Sequence, residues 1–220
     1  GGDCSSGETK MISITAIGEM NPPRLHRGNA LPGDYIVSTG LHGLSRLGLA
    51  LLTSEKLPSE VQISPELINK AINAHRRPYP ALKALKALKD CKPRSTSWRA
   101  AGTDSSDGLI ESIRGICQTS NCQAVLSKTS ILKHPDWPED DIWDEWILNG
   151  GEDYELILSL PKEWAKSLSK KLKSAKIIGF IKEGKPNIFW DNLEQIKIDQ
   201  SSTFRPVSYT HLRAHETSQN

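Results

Sequence analysis

The sequence predicts a mixed fold of strands and helices built around three acidic turns. Short apolar runs rich in β-branched residues indicate strands, and the clearest of them is 156–160. Apolar residues at helical spacing follow Asp107 and indicate a helix there. Turns that combine glycine with carboxylates occupy 1–8, 101–108 and 149–155. Because carboxylates beside buried strands are unfavourable unless they are paired, these turns indicate cation binding or hydrogen bonding to a polar ligand.

The other elements are predicted from the same two patterns. Ser105 or Ser106 is expected to cap the helix that follows Asp107, because serine is a favoured N-cap residue. Strands are predicted at 11–17, 35–39, 177–181 and 187–190. Helices are predicted at 44–52, from Ser64-Pro65 to before Pro78, at 81–89, from Leu109 onward and at 163–175.

Three tryptophans stand close together in the sequence, Trp137, Trp143 and Trp146. Such a group is able to stack on the ring of a heteroaromatic ligand. Tryptophan is usually well buried in folded proteins. We therefore expect these side chains to pack in the core.

Composition excludes several classes of protein. The chain has 220 residues, which is the length of one domain plus a piece of another, and its net charge of +2 does not predict binding to nucleic acid or to a membrane. No apolar run is long enough for a membrane span. The four cysteines show neither zinc-site spacing nor a C-x-x-C pair. Reduced thiols and a cytoplasmic location are expected.

Residues 104–108, which we call the aspartate turn, predict a metal site. Asp104 and Asp107 are three residues apart and can face the same way at the start of a helix. Mg²⁺ typically binds one or two carboxylates together with substrate phosphates, and a helix N-terminus offers N–H groups to phosphate oxygens. The alternative is an ordinary capping turn in which both aspartates favour the helix dipole.

Five motifs follow one another along the chain: Gly1-Gly2-Asp3-Cys4, Arg27-Gly28-Asn29-Ala30 with Pro32-Gly33-Asp34, His75-Arg76-Arg77-Pro78, Asp104-Ser105-Ser106-Asp107-Gly108 and Asn149-Gly150-Gly151-Glu152-Asp153-Tyr154-Glu155-Leu156. These motifs, in this order, resemble those of the thiamine-monophosphate kinases. The chain departs from the family pattern at Cys4, where the family usually has Thr, and at Leu44, where an acidic residue is usual. The acidic run, residues 149–155, best separates this family from its fold relatives.

The resemblance implies an α+β fold of the phosphoribosylaminoimidazole synthetase-like superfamily. Residues 1–26 would end an N-terminal domain that binds ATP and metal, and residues 27–205 would form the C-terminal α+β domain, an α/β sandwich. The intact protein would be a homodimer that pairs the sheets of its N-terminal domains.

The resemblance also implies an activity, the ATP- and Mg²⁺-dependent phosphorylation of thiamine monophosphate to thiamine diphosphate. No protein nucleophile is required, because the metal and the side chains position two anionic phosphates. The sequence has neither a P-loop nor the motifs of protein kinases. The implied roles are nucleotide binding by Gly2, Arg27 and Ser106, metal binding by Asp3, Asp104 and Asp107, and substrate binding by Glu152 and Phe204.

The sequence is compatible with two other functions. One is a different ATP-using member of the superfamily, such as a selenophosphate synthetase-like or hydrogenase-maturation protein, although the acidic run argues against it. The other is a non-catalytic module that binds nucleotide weakly or only dimerises. The chain as written is expected to have little or no activity alone, because part of the implied metal cluster would precede Gly1.

Both ends of the sequence carry expectations of their own. The chain begins at a glycine-glycine-aspartate turn without an initiator Met, so a truncated start is expected. Residues 206–217 read as the in-frame translation of a transposase-type sequencing adapter, and 218–220 as index bases. We therefore exclude 206–220, including His211 and His215, from the prediction of the fold and the site.

Overall fold

A computed structural model describes residues 15–20 and 23–196. It contains a six-stranded sheet in the order β2-β4-β1-β5-β3-β6. Neighbouring strands are antiparallel, except for β3 and β6, which are parallel. The strands are β1 (Tyr35–Ser38), β2 (Ala101–Asp104), β3 (Gln123–Leu126), β4 (Leu156–Leu160), β5 (Lys176–Lys182) and β6 (Asn187–Trp190).

Six α-helices cover both faces of the sheet. On one face α1, α2, α4 and α5 pack on a core that contains Ile36, and on the other α3 and α6 pack on a core that contains Val37. Successive residues of β1 thus serve opposite cores, as the alternation of a strand requires. The helices are α1 (Leu44–Thr53), α2 (Pro65–Arg76), α3 (Leu82–Asp90), α4 (Leu109–Ser120), α5 (Asp141–Asn149) and α6 (Lys162–Lys171).

The α+β prediction is confirmed, and most predicted elements lie where the sequence placed them. α2 begins as expected: the hydroxyl of Ser64 accepts a hydrogen bond from the N–H of Leu67 at 3.1 Å, and Pro65 occupies the first turn. Trp137 and Trp143 are buried and pack edge to face, with ring centroids 5.9 Å apart, so the core interpretation is correct for these two.

The predicted cap of α4 is wrong. Neither Ser105 nor Ser106 caps the helix, because Gly108 occupies the N-cap position with a φ of 101°. Ser105 is fully buried, and its hydroxyl instead accepts a hydrogen bond from the N–H of Glu155 at 3.0 Å. Ser105, which was predicted as a helix cap, therefore connects two turns.

Some elements were not predicted, and some predictions lie outside the described residues. The strands β2 and β3 and the helix α5 were missed. Of the predicted strand 11–17, the described residues 15–17 are exposed and belong to no strand. The domain boundary after residue 26 stays a prediction, and the excluded tail lies outside the described residues. Within the described ranges, no helix combines the length and apolar character needed to cross a membrane.

Candidate functional site

The aspartate turn and the acidic run meet at one end of the sheet. The N–H of Ser105 donates to the carbonyl of Glu155 at 2.8 Å, and the N–H of Glu152 donates to the carbonyl of Ser106 at 2.8 Å. The bond from Glu155 to the Ser105 hydroxyl adds a third connection. Two segments some fifty positions apart in sequence therefore form one rigid corner.

Unusual backbone conformations allow these two segments to come this close. Glu152 and Tyr154 have φ angles of 63° and 53°, in the left-handed region that non-glycine residues rarely adopt. A side chain at Gly108 would lie 3.0 Å from the carbonyl oxygens of Asn149 and Gly150. Strained backbone of this kind often marks a functional site.

Three carboxylates lie near enough to Tyr154 to affect its ionisation. Burial raises the pKa of this tyrosine, and the negative charges of Glu152, Asp104 and Asp107 raise it further. Asp104 is the last residue of β2, and Asp107 lies in the turn that follows. The structure therefore brings together the two predicted metal ligands and the predicted substrate contact.

Arg27 lies beside the same corner. Its Nη2 donates a hydrogen bond of 3.2 Å to the hydroxyl of Thr103, the residue before Asp104. The side chain crosses α4 at Gly115, where an added Cβ would lie 3.3 Å from Nη1. The arginine implied to contact the nucleotide is thus held next to the aspartate turn, and Ser106 is part of that turn.

The described residues supply at most part of a magnesium site. Asp104 and Asp107 are the oxygen ligands that Mg²⁺ prefers, and one or two carboxylates are its usual protein complement. In residues 15–20 and 23–196, no group of three or more His, Cys, Asp or Glu side chains is placed to hold a metal ion. The donor types fit a cation that is shared with phosphate oxygens. The other predicted site residues, Gly2, Asp3 and Phe204, lie outside the described part.

A cleft of about 350 Å³ opens next to this corner. Three carboxylates of the acidic run, those of Glu152, Asp153 and Glu155, line one side of it. Its other lining residues include Leu41, Leu44, Arg77, Pro78 and Tyr79. A cleft with apolar walls and several carboxylates suits a flat organic cation.

Asp153 connects the cleft to the start of α1. Its carboxylate accepts hydrogen bonds from the N–H groups of Gly43 at 2.8 Å and Ser45 at 3.1 Å. Burial raises the pKa of this carboxyl to about 7, against the effect of the two hydrogen bonds and with a smaller contribution from Glu155 and Glu152. Leu44 stands where the family usually has an acidic residue, and Asp153 supplies a carboxylate to this helix N-terminus.

Glu155 is held by the strand end on its other side. The hydroxyl of Thr39 donates to Oε2 of Glu155 and accepts from the N–H of Leu156 at 2.8 Å. Burial raises the pKa of the Glu155 carboxyl, and the bond from Thr39 opposes that shift. A Cβ at Gly40 would lie 2.2 Å from Oε1 of Glu155, so a larger residue there would displace the carboxylate from its present position.

His42 belongs to the same loop but brings no positive charge to the site. It is buried, and within the described residues neither of its ring nitrogens has a hydrogen-bond partner. Burial lowers its pKa to about 4. The ring is therefore neutral near pH 7, and it does not neutralise phosphate charge.

A larger groove, of about 640 Å³, lies elsewhere and is lined by both lysines and carboxylates. Lys128 and Lys133 line it together with Asp141 and Asp144. These residues form two ion pairs, Lys128 with Asp141 and Lys133 with Asp144. Both lysines of this groove are thus paired, and Glu139 and Asp140 also line it, so the groove offers, among its described residues, no free lysine for a phosphate group.

Sequence reasoning missed several residues of the site. Asp153 and Glu155 stand in the acidic run but were given no role, and Thr39 was read only as the end of a strand. His75 and Arg77 belong to one of the five motifs, but the sequence predicts no function for them. The motif itself could have indicated that these residues belong to the site, since they lie in or beside the cleft.

The comparisons identify relatives over most of the chain. A thiamine-monophosphate kinase from Prochlorococcus marinus is 48% identical over 204 residues, which are 93% of this chain and 61% of that protein. AaThiL, a thiamine monophosphate kinase from Aquifex aeolicus solved with AMPPCP and TMP, is 26% identical with a TM-score of 0.62. That match covers 80% of this chain and 52% of AaThiL. No family model matches the chain.

A more distant neighbour shares only the fold. E. coli HypE has a TM-score of 0.54 at 13% identity, over 80% of this chain and 52% of HypE. The chain spans less than two thirds of each of these proteins. Over the part that it spans, the chain is similar in sequence and fold to thiamine-monophosphate kinases.

Proposed function

We propose that the protein transfers the γ-phosphoryl group of ATP to thiamine monophosphate and so forms thiamine diphosphate. The observation that carries this proposal is the corner where Asp104, Asp107 and Glu152 meet, with Arg27 beside it. It combines carboxylates for a cation, a guanidinium for phosphate and a carboxylate at an apolar cleft.

The relatives support the identity of the substrates. The curated relative is a thiamine-monophosphate kinase, and AaThiL is complexed with AMPPCP, an analogue of ATP, and with TMP. The thiamine part of the substrate carries a cationic thiazolium and an aminopyrimidine. In our proposal it enters the cleft, where Glu152 accepts hydrogen bonds from the aminopyrimidine.

The chain's own residues have separate tasks in this proposal. Arg27 contacts the nucleotide phosphates, and the main chain at Ser106 contacts the nucleotide. Asp104 and Asp107 would hold Mg²⁺, and the ion would offset the repulsion between the two anionic phosphates. Asp3, Gly2 and Phe204 keep their proposed roles in metal, nucleotide and substrate binding.

The competing functions have less support. HypE resembles the chain in fold alone, at 13% identity, so the hydrogenase-maturation alternative has no sequence support of the kind that the kinases provide. A non-catalytic role remains the alternative for the 220-residue chain by itself, because it spans 61% of its relative. Homodimer formation and a cytoplasmic location are further parts of the proposal.

The test is formation of thiamine diphosphate from ATP and thiamine monophosphate, measured by chromatography. A version extended to the length of the relatives should form the product, and the 220-residue chain should form little.

Glu152→Gln should raise KM for thiamine monophosphate about tenfold, as expected for the loss of one charged hydrogen bond. Glu183→Gln removes one exposed charge at the opposite end of the sheet and should have no effect. Absence of the product with the extended wild-type protein would contradict the proposal.

A further inference from the structure

A histidine with no role in the proposed function lies next to Glu152. His75, in the last turn of α2, places Nδ1 3.0 Å from the hydroxyl of Ser45 and 3.6 Å from Oε2 of Glu152. The second distance is longer than a hydrogen bond but within the range of an ion pair. His75 of α2 thus contacts both α1 and the acidic run.

A close helix crossing places the histidine there. A Cβ at Gly48 of α1 would lie 2.1 Å from the carbonyl oxygen of Ala71 and 2.8 Å from Cβ of His75. Glycine at this position therefore allows α2 to approach α1 until the imidazole reaches Ser45 and Glu152. The geometry follows from the packing of the two helices and does not depend on a flexible loop.

We propose that His75 is a positioning residue, which keeps a proton on Nδ1 and holds the carboxylate of Glu152 toward the cleft. This inference rests on the proposed function, because Glu152 is there the contact to the aminopyrimidine. His75 itself does not touch the substrate in this proposal.

Ser45 provides a fixed anchor for the ring. It is buried, and its main-chain N–H donates to Asp153 at 3.1 Å. Its hydroxyl therefore has little freedom to move. A proton on Nδ1 can be donated to this hydroxyl, and that bond fixes the plane of the imidazole.

The surrounding charges favour a proton on Nδ1. That nitrogen lies 3.6 Å from Oε2 of the Glu152 carboxylate. A bare nitrogen lone pair would point toward this negative charge, whereas an N–H presents its positive end. Electrostatics thus selects the ring form that attracts Glu152.

Glu152 needs such support. Its backbone has a φ of 63°, which is rare for a side chain of this size. Among residues 15–20 and 23–196, its carboxylate accepts no hydrogen bond within normal length, and about a third of the side chain is exposed. Without His75, the carboxylate would be free to rotate out of the cleft.

The ring form is testable without any ligand. In the 220-residue chain labelled with ¹⁵N-histidine, long-range ¹H–¹⁵N spectra report which nitrogen carries the proton, and His75→Asn assigns the signal. We expect a protonated Nδ1 in the wild type and a changed spectrum in Glu152→Gln. A bare Nδ1 that is insensitive to Glu152→Gln would overturn the inference.

Calorimetric titration with thiamine monophosphate tests the positioning. His75→Leu should weaken binding about tenfold, the loss expected for one such contact. His75→Asn, whose amide nitrogen lies near the position of Nδ1, should bind within about threefold of the wild type. Asn73→Leu, an exposed position on the same helix, is the control and should change nothing.

A double-mutant cycle separates positioning from a general structural effect. In the Glu152→Gln background, His75→Leu should cause little further loss of binding, whereas independent effects would add and would overturn the inference. Thermal unfolding checks that each variant folds. If His75→Leu does not fold, Ser45→Ala takes its place, because it removes only the hydroxyl that anchors the His75 ring. If the wild type fails to bind thiamine monophosphate, the proposed function fails for this chain, and the spectra alone decide the role of His75.

Discussion

The main-chain N–H of Gly43 donates a hydrogen bond of 2.8 Å to Oδ2 of Asp153, across 110 positions of sequence. Asp153 thereby acts as a helix cap supplied by a distant segment, because its other oxygen accepts from Ser45 of α1. A carboxylate at a helix N-terminus is normally favourable. Here burial opposes ionisation strongly enough to raise the pKa of the carboxyl to about 7.

Asp153→Asn should remove a pH dependence of stability. The pKa of the folded state, about 7, lies above the ordinary value of 3.8, so the unfolded state loses its proton first as the pH rises. Wild-type stability should therefore fall between about pH 4 and pH 7, and the contribution is fully present only below that window. We expect a fall of about 2 kcal/mol.

Urea unfolding of both proteins at pH 4.5 and pH 8 measures this effect. The difference between wild type and Asp153→Asn should change in favour of the variant as the pH rises. Glu183→Gln, an exposed position, serves as the control for removal of a charge. Parallel pH profiles for wild type and Asp153→Asn would show that the buried carboxyl does not control this dependence.

Thr39→Val should destabilise the protein, and Thr39→Ser should not. The Thr39 hydroxyl serves both Glu155 and the N–H of Leu156, and the residue is buried. Valine keeps the shape but leaves both partners without this bond, which typically costs about 1–3 kcal/mol for each buried group. Serine keeps the hydroxyl. The free energy of unfolding in urea is the measurement, and equal losses for the two variants would point to packing as the cause.

Gly48→Ala should disrupt the crossing of α1 and α2. The new methyl group would lie 2.1 Å from a main-chain oxygen of Ala71, and backbone of a packed helix yields poorly. Overpacking of this kind costs about 1–3 kcal/mol. Gly18→Ala is the matched control, since an added Cβ there meets nothing within 4 Å. Similar melting temperatures for Gly48→Ala and wild type would mean that the helices separate easily.

The elements of this fold that depend only on a local sequence pattern were predicted well. The helix at 65–76 has both a serine cap and a proline in its first turn, and the strand 156–160 is apolar except for Ser159. β2 was missed because Ala101–Asp104 is short and rich in small residues, so its strand form depends on pairing with β4. No local pattern reveals that pairing.

The helix α5 was missed for a different reason. Its signal was present, because Asp140 accepts a hydrogen bond from the N–H of Ile142 and apolar residues follow at helical spacing. The tryptophans of this region were interpreted as core residues and not as members of a helix. In contrast, no local signal indicates that Ser105 connects two turns or that Asp153 caps α1. Both roles depend on segments brought together only in the folded chain.

Asp104→Asn and Asp107→Asn should each lower the pKa of Tyr154 toward its ordinary value. Their negative charges contribute to the raised pKa in the wild type, and an amide carries no such charge. The effect should be larger in the double variant. Ultraviolet absorbance during alkaline titration measures tyrosinate formation, and Tyr154→Phe identifies the signal among the four tyrosines. Unchanged titration would show that the aspartate turn lies farther from the acidic run than the structure places it.

The same two substitutions should weaken binding of AMPPCP in the presence of Mg²⁺ in a version extended to the length of the relatives. If the carboxylates hold the ion, each loss should weaken binding about tenfold with Mg²⁺ and leave binding unchanged in EDTA. Glu183→Gln should behave as wild type under both conditions, because it lies at the opposite end of the sheet. An equal loss with and without Mg²⁺ would assign the aspartates to the shape of the turn, and no loss at all would exclude them from the metal site.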